Sequence, residues 1–162
     1  MYIFFEKGIV MIELMELFEE DIVTYKNDLV MLLEGCHEDS FPDQAFNDEF
    51  YRYALDDLKA KKKQNLTQMY GYVDQSQLIG LICFHEAMVE KNRLLHIYYL
   101  VVNENYRGKG LGKKLLKKAE EYAKKHGIVN IQLYVSKDNK EAVGFYSNQD
   151  FGIARYLMKK KI

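Results

Sequence analysis

Residues 107–113 read Arg-Gly-Lys-Gly-Leu-Gly-Lys, with Gly108, Gly110 and Gly112 beside Arg107, Lys109 and Lys113. They follow an apolar run ending in Val101-Val102 and open an amphipathic, lysine-studded pattern, which places them at a strand–turn–helix junction. The first N–H groups of a helix have no intrahelical partners and lie at the positive end of its dipole. Glycine removes the Cβ atoms that would hold a bulky anion away from them. The chemistry this allows is the grip of a phosphate or pyrophosphate, with Arg107 and Lys109 adding charge. Tight packing would demand glycines equally well, and the glycines alone do not separate the two readings. Neither GxxxxGK[ST] nor GxGxxG occurs, which removes a P-loop and weakens a Rossmann dinucleotide site.

The rest of the composition narrows the setting. The 162 residues contain one proline, 48% apolar and 14% aromatic residues, so the expectation is one folded domain over 1–162 with a sizeable core. No stretch of 18 uncharged apolar residues occurs, and the start MYIFFEKGIV is too short and too acidic for a signal peptide. Cys36 and Cys83 form no CxxC, and His37, His85, His96 and His126 show no metal-ligand spacing. The reading is therefore cytoplasmic, with no metal, no disulfide and no membrane partner. Residues 1–57 hold 15 acids and 3 bases, and the other 105 hold 9 acids and 20 bases. That asymmetry is either solvated surface or the mark of a molecule meeting a cation with one part and an anion with the other.

Elements that could position the glycine turn follow from the periodicity. Ile9–Met15 reads as a first strand after a Lys7-Gly8 turn. Glu19–Glu34 reads as a helix, with Ile22, Tyr25, Leu29, Leu32 and Leu33 at helical spacing. Ser40-Phe41-Pro42-Asp43 breaks it, and a second helix runs from about Asp43 to Lys62 with Phe46, Phe50, Tyr53, Ala54 and Leu58 on one face. Two β-rich runs flank Asp74-Gln75-Ser76-Gln77, a hairpin signal. Arg93–Val102 is apolar on both faces, hence central. A helix over about Leu111–His126 stops at Gly127, followed by a strand over Val129–Ser136, a short helix over 139–149 and a closing strand over 154–162. The expected fold class is α/β (α+β type): a mixed, mostly antiparallel central sheet of six to seven strands flanked by about four helices.

Downstream of the turn stands Asn139-x-x-Ala142-x-x-Phe145-Tyr146. Together with Arg107-x-x-Gly110-x-Gly112, about thirty residues earlier and with a strand between, this closely resembles the two signatures of the GNAT superfamily of acyl-CoA-dependent N-acyltransferases. The resemblance covers roughly Leu66–Ile162; the N-terminal helices match the family's layout but no motif. It implies acetyl-CoA as co-substrate, no metal, and transfer of the acetyl group to a primary amine by direct attack in a ternary complex. In that family the glycine turn binds the pyrophosphate, which maps to Arg107, Gly108, Lys109, Gly110, Leu111, Gly112 and Lys113. The preceding strand serves the pantetheine arm and thioester carbonyl, here Leu100, Val101 and Val102. Asn139 matches a contact to the cofactor arm, and Tyr146 matches the general acid that protonates the leaving thiolate.

The general base is less plain. Many relatives place a glutamate eleven residues before the motif arginine, where this chain has His96; others place one five before the asparagine, here Tyr134. His96 can accept a proton near neutrality, and as a strand residue it would share a face with Tyr98, Leu100 and Val102. A hydrogen-bonded structural histidine is the competing reading. Tyr98 and Tyr99 are expected to line the acceptor cleft. Where relatives often carry Gly-Phe, this chain has Asp150-Phe151, which a positive-φ turn tolerates moderately. Lysines 113, 114, 117, 118, 124 and 125 resemble a nucleic-acid stripe, but with a pI near 6.4 they read as a solvated helix face. The partners expected are therefore an amine acceptor, small-molecule or peptide and cationic by the charge argument, no nucleic acid, and a monomer or homodimer. The alternative class is a non-catalytic acyl-CoA sensor or partner subunit.

Overall fold

The computed structural model describes residues 2–5, 8–41 and 43–160, with side chains from residue 12 onward apart from Pro42. Strands β1 (Tyr2–Phe5) and β2 (Gly8–Met11) form a separate antiparallel hairpin. A five-stranded sheet then runs in sequence order: β3 (Glu13–Glu16), β4 (Gln68–Asp74), β5 (Gln77–Val89), β6 (Asn92–Val102) and β7 (Ile131–Leu133). Pairing is antiparallel except for β6–β7, which is parallel. The mixed α/β class holds, but the central sheet has five strands rather than six or seven. The expected strand over 9–15 is divided between the hairpin and β3, and Lys7 of the expected turn lies outside the described residues.

Among the described residues five α-helices flank the sheet: α1 (Glu19–Thr24), α2 (Lys26–Ser40), α3 (Asp48–Lys63), α4 (Leu111–Lys125) and α5 (Lys140–Ser147). The helix expected over 19–34 is two helices broken at Tyr25, whose ψ is 24° after the β-branched pair Val23-Thr24. Helix α3 starts at Asp48 rather than Asp43 because Asn47 is its cap, its side-chain oxygen accepting from Phe50 N–H at 3.0 Å. The buried face of α3 is Tyr51, Leu55 and Leu58, so Leu58 of the expected stripe lies inside, whereas Tyr53 is 73% exposed. Gln75 and Ser76 take φ of 45° and 69° at the β4–β5 turn, as tight hairpins require. Residues 152–160 carry no strand, and Tyr156, Leu157 and Met158 are exposed. Their β-like composition finds no ladder, and pairing rather than composition makes a strand; Lys161 and Ile162 lie outside the described residues.

Two cores sandwich the sheet. Leu111, Leu115, Leu116 and Ala119 of α4 pack on Ile82, Phe84, Leu95 and Ile97. On the opposite face, α1, α2 and α3 supply Ile22, Leu29, Leu33, Leu55 and Leu58 against Leu81, Cys83 and Val101. One irregularity governs the site. Cys83 pairs with Tyr99 but Phe84 with Ile97, so Tyr98 is an extra residue in β6. A bulge of this kind flips the side-chain alternation. Leu95 and Ile97 face α4, and so do Leu100 and Val102, whereas Tyr99 and Val101 face the α1–α3 layer.

Candidate active site

The glycine turn follows a short 3₁₀ turn, Glu104–Tyr106, tied by Asn103 accepting from Asn105 N–H at 3.1 Å. Gly108 and Gly110 have φ of 73° and 76°, the left-handed region, and Gly110 is the N-cap of α4. A Cβ placed on either would meet nothing within 4 Å, so open space lies over this backbone. Gly112 has a different reason: a Cβ there would meet the Phe145 ring at 3.5 Å, an ordinary contact between α4 and α5. The first intrahelical bond runs from Lys114 N–H to Gly110 O at 3.2 Å, so the N–H groups of Leu111, Gly112 and Lys113 precede the helical ladder. Leu111 is 1% exposed, its side chain committed to the core, and only its backbone is available to a ligand. Lys113 is exposed on the first turn.

The motif's other cations are engaged. The Arg107 guanidinium donates to Val102 O (3.2 Å), to Asp39 of α2 (3.0 Å) and to Glu141 of α5 (3.2 Å). Lys109 Nζ donates to Asn105 O at 2.8 Å and lies 5.0 Å over the Tyr106 ring. The attraction for an anion therefore begins with the backbone N–H groups and Lys113, while Arg107 ties together the helices flanking the turn.

Beside the turn the sheet forks. Strands β6 and β7 pair only over Leu95–Ile97 and Ile131–Leu133, after which β6 continues to Val102 without it. The edge of Leu100–Val102 facing away from β5 thus borders a cleft, where an extended ligand arm can use strand backbone. Helix α5 lies beside the turn, its Phe145 near Gly112 and its Glu141 paired to Arg107. Asn139 caps it, its side-chain oxygen accepting from Ala142 N–H at 2.9 Å, so this residue has a structural task independent of any ligand. Tyr146 packs its ring between Phe145 (5.1 Å) and Phe151 (5.6 Å). Burial raises its phenol well above the usual range, and the nearby Cys36 thiol adds to the effect, so the hydroxyl stays protonated at any working pH. Asp150 takes the positive φ, 63°, that its place before Phe151 suggested.

The bulge corrects one expectation. His96, Tyr98, Leu100 and Val102 do not form one row, because Leu100 and Val102 face α4 while His96, between Leu95 and Ile97, projects to the other face. His96 is partly buried, with Tyr134 at 5.2 Å between ring centroids and Gln132 Nε2 3.5 Å from its Nδ1. Burial lowers its pKa, and the neighbouring His85 lowers it further, favouring the neutral ring a base requires. Turning the Gln132 amide by half a rotation would let its oxygen accept from Nδ1–H and free Nε2 for a substrate proton. Tyr98 is 40% exposed; Tyr99 is half-buried against α2 and α3, its phenol pushed up to about 12 chiefly by burial.

Several residues at the site carried no signal in the motifs: Asp39, Glu141, Gln132, His85 and His37. His37 is buried among Phe46, Phe50, Tyr51 and Tyr99, with Nδ1 unpartnered, and burial lowers its pKa. Its place eight residues after Leu29 and four after Leu33 could have put it on the inner face of α2. Among the described residues no cluster of three or more His, Cys, Asp or Glu could hold a metal ion, and no helix is long and apolar enough to cross a membrane.

Comparison with known proteins bears on this geometry. The chain is 40% identical over 69 residues to an uncharacterized N-acetyltransferase of Methanocaldococcus jannaschii, which covers 43% of this chain and 30% of that one. It is 27% identical over 133 residues to the spermidine N(1)-acetyltransferase of Thermoplasma acidophilum, covering 78% and 80% of the two chains. The chain thus spans about a third of the length of the first relative and four-fifths of the second. A "predicted acetyltransferase" from Clostridium acetobutylicum, solved with acetyl-CoA, shares the fold with a TM-score of 0.74 over 93% of this chain and 96% of that one, at 15% identity. An aminoglycoside acetyltransferase from an uncultured soil metagenomic sample does so at 0.68 and 18% identity, over 93% and 97%. The sequence model of the acetyltransferase (GNAT) family matches residues 27–160, a span that contains the glycine turn, the forked strands and the tyrosine helix, and the chain belongs to that family.

Proposed function

We propose that this protein transfers an acetyl group from acetyl-CoA to a primary amine, by direct attack within a ternary complex, and that residues 1–162 form one domain doing so. The observation that carries the reading is the positive-φ glycine turn at the N-terminus of α4, with open space over its backbone, at the mouth of the β6–β7 fork. The pyrophosphate would lie on the N–H groups of Gly108 to Lys113, with Arg107 and Lys109 alongside. The arm would run along Leu100, Val101 and Val102 toward Asn139. A strand N–H there can stabilise the oxyanion that develops on the thioester carbonyl. The amine nitrogen attacks that carbonyl, His96 takes the amine proton, the C–S bond breaks, and Tyr146 delivers its proton to the departing thiolate.

The acceptor is read from charge and from relatives. The N-terminal third is acidic, its helices pack on the sheet face toward which Tyr99 projects, and one relative is a spermidine N(1)-acetyltransferase while a structural neighbour is an aminoglycoside acetyltransferase. A polycationic small amine fits both. The site is read as a cytoplasmic one, in a monomer or homodimer. The second reading, a non-catalytic acyl-CoA sensor, is favoured by the absence of a carboxylate at His96 and at Tyr134.

Incubation of the protein with acetyl-CoA and a panel of spermidine, an aminoglycoside and neutral amines, with free thiol followed over time, separates them. Amine-dependent thiol release is expected, with polycations fastest. Coenzyme A binding without release for any amine would establish the sensor instead.

A further inference from the structure

Two histidines face each other at the base of the fork. His85 and His96 are partners in the β5–β6 ladder, with ring centroids 5.4 Å apart at 77°. His85 lies flat against Tyr98, at 4.4 Å and 15°, and this stacking fixes its ring. From α3, the Lys61 ammonium lies 5.1 Å over the same Tyr98 ring and is paired to Asp57 at 2.6 Å. From the β7 side come Gln132 and Tyr134. The titratable and charged groups facing the pair are therefore Lys61 and Asp57 of α3, Tyr98 of β6, and Tyr134 beyond β7. Among the described residues no carboxylate bonds to either imidazole, and His85 Nδ1 is buried without a partner.

We infer that His85 is a positioning residue for His96: facing it across the ladder, it confines the pair to at most one proton and leaves His96 as the free base when the amine arrives. The inference rests on the reading of His96 as the base. Two imidazolium rings in contact repel one another, and the carboxylate that faces them, Asp57, is already paired to Lys61. Burial acts in the same direction on both rings; for His85 the Lys61 charge adds to it and a hydrogen bond with the His96 backbone opposes it, and for His96 the His85 charge adds to it. Near neutrality burial keeps both rings neutral, so the amine proton taken by His96 is the single proton of the pair, and it passes on to water.

The test is a pH titration of the imidazole resonances by NMR in the ligand-free full chain, run beside pH profiles of kcat/KM. Wild type, His85→Gln, His85→Phe and His96→Gln are compared, with circular dichroism as the check on folding. His85→Phe keeps the stack on Tyr98 and removes the charge. In both His85 variants the His96 midpoint should rise, and the acidic limb of kcat/KM should rise with it. At pH 5.5, measured against each protein's own plateau, the variants should lose a further ~3- to 10-fold, the effect of one unit charge about 5 Å away under strong screening. By the reciprocity of coupled sites, His96→Gln should raise the His85 midpoint. An unmoved His96 midpoint in both His85 variants overturns the inference even if His96→Gln flattens the acidic limb. If His96→Gln leaves the limb unchanged, the reading of His96 as base fails, and the role of His85 fails with it.

Discussion

The two halves of the cleft are built differently. The half around the glycine turn is made of main chain: positive φ at Gly108 and Gly110, N–H groups ahead of the first bond of α4, and the open edge of Leu100–Val102. The half around His96 is made of side chains delivered from separate elements: His85 from β5, Lys61 from α3, Gln132 from β7 and Tyr134 just beyond it. Backbone geometry depends on a few adjacent residues, whereas a side-chain cluster depends on register and packing over the whole chain. Arg107 ties the turn to the helical layer, since it reaches across to Asp39 on α2.

The comparison breaks most sharply at the glycines. Gly110→Val places a β-branched residue at φ 76° and fills the open space over the turn. Calorimetry should show coenzyme A affinity falling by a factor of about 100 or more, on the order of 3 kcal/mol, with the fold retained by circular dichroism. Gly112→Ala is the matched control, because its Cβ would meet Phe145 only at contact distance. It should change affinity little and raise stability by a few tenths to about 1 kcal/mol. Equal losses in the two variants would show that the turn does not bind through bare backbone at Gly110.

A smaller effect is expected at Tyr146. Tyr146→Phe keeps the ring between Phe145 and Phe151 and removes the proton, so kcat should fall by roughly 10- to 100-fold with KM for acetyl-CoA little changed. The thiol it would protonate is a tolerable leaving group, with an ordinary pKa of ~8.5. An unaltered kcat, with chemistry shown to limit the rate, would reduce Tyr146 to packing.

The side-chain half should answer to pH. His37, His85 and His96 all have folded pKa values below the ordinary ~6.5, burial being the leading cause in each. The unfolded chain then binds more protons than the folded one as pH falls below ~6.5, so stability drops on acidification and rises with pH up to neutrality. Urea unfolding at several pH values from 5 to 7.5 should show that slope, and His37→Phe should reduce it. A midpoint independent of pH across this window would contradict the burial of these rings. The smallest effect is electrostatic: if the acidic helices steer the acceptor, the preference for cationic over neutral amines should shrink as salt rises, because exposed charges are screened beyond ~8–10 Å near physiological ionic strength. A preference indifferent to salt would locate selectivity in contacts rather than in the field.

How far the sequence could be read follows the same division. The α4 boundaries, the Gln75-Ser76 turn, Gly127 at φ 66° and Asp150 at φ 63° were all legible, because each is decided by neighbouring residues. Leu58 of α3 was legible, but Tyr51 and Leu55 were not: Phe50 and Tyr53 are as apolar as Tyr51, and only the docking of the helix selects between them. The strand composition of 154–160 was legible and misleading, since no neighbouring strand receives it.

By itself, then, the sequence determined the family, the strand–turn–helix with its bare N–H groups, and the tyrosine helix beside it, because spacing along the chain is enough to specify backbone conformation. Tertiary structure alone decided that Tyr98 is a bulge, that His96 therefore turns away from Leu100 and Val102, that His85 stands opposite it, and that Arg107 is held between Asp39 and Glu141. Register, unlike periodicity, is a property of two strands at once, and one extra residue in a ladder exchanges the faces of everything beyond it.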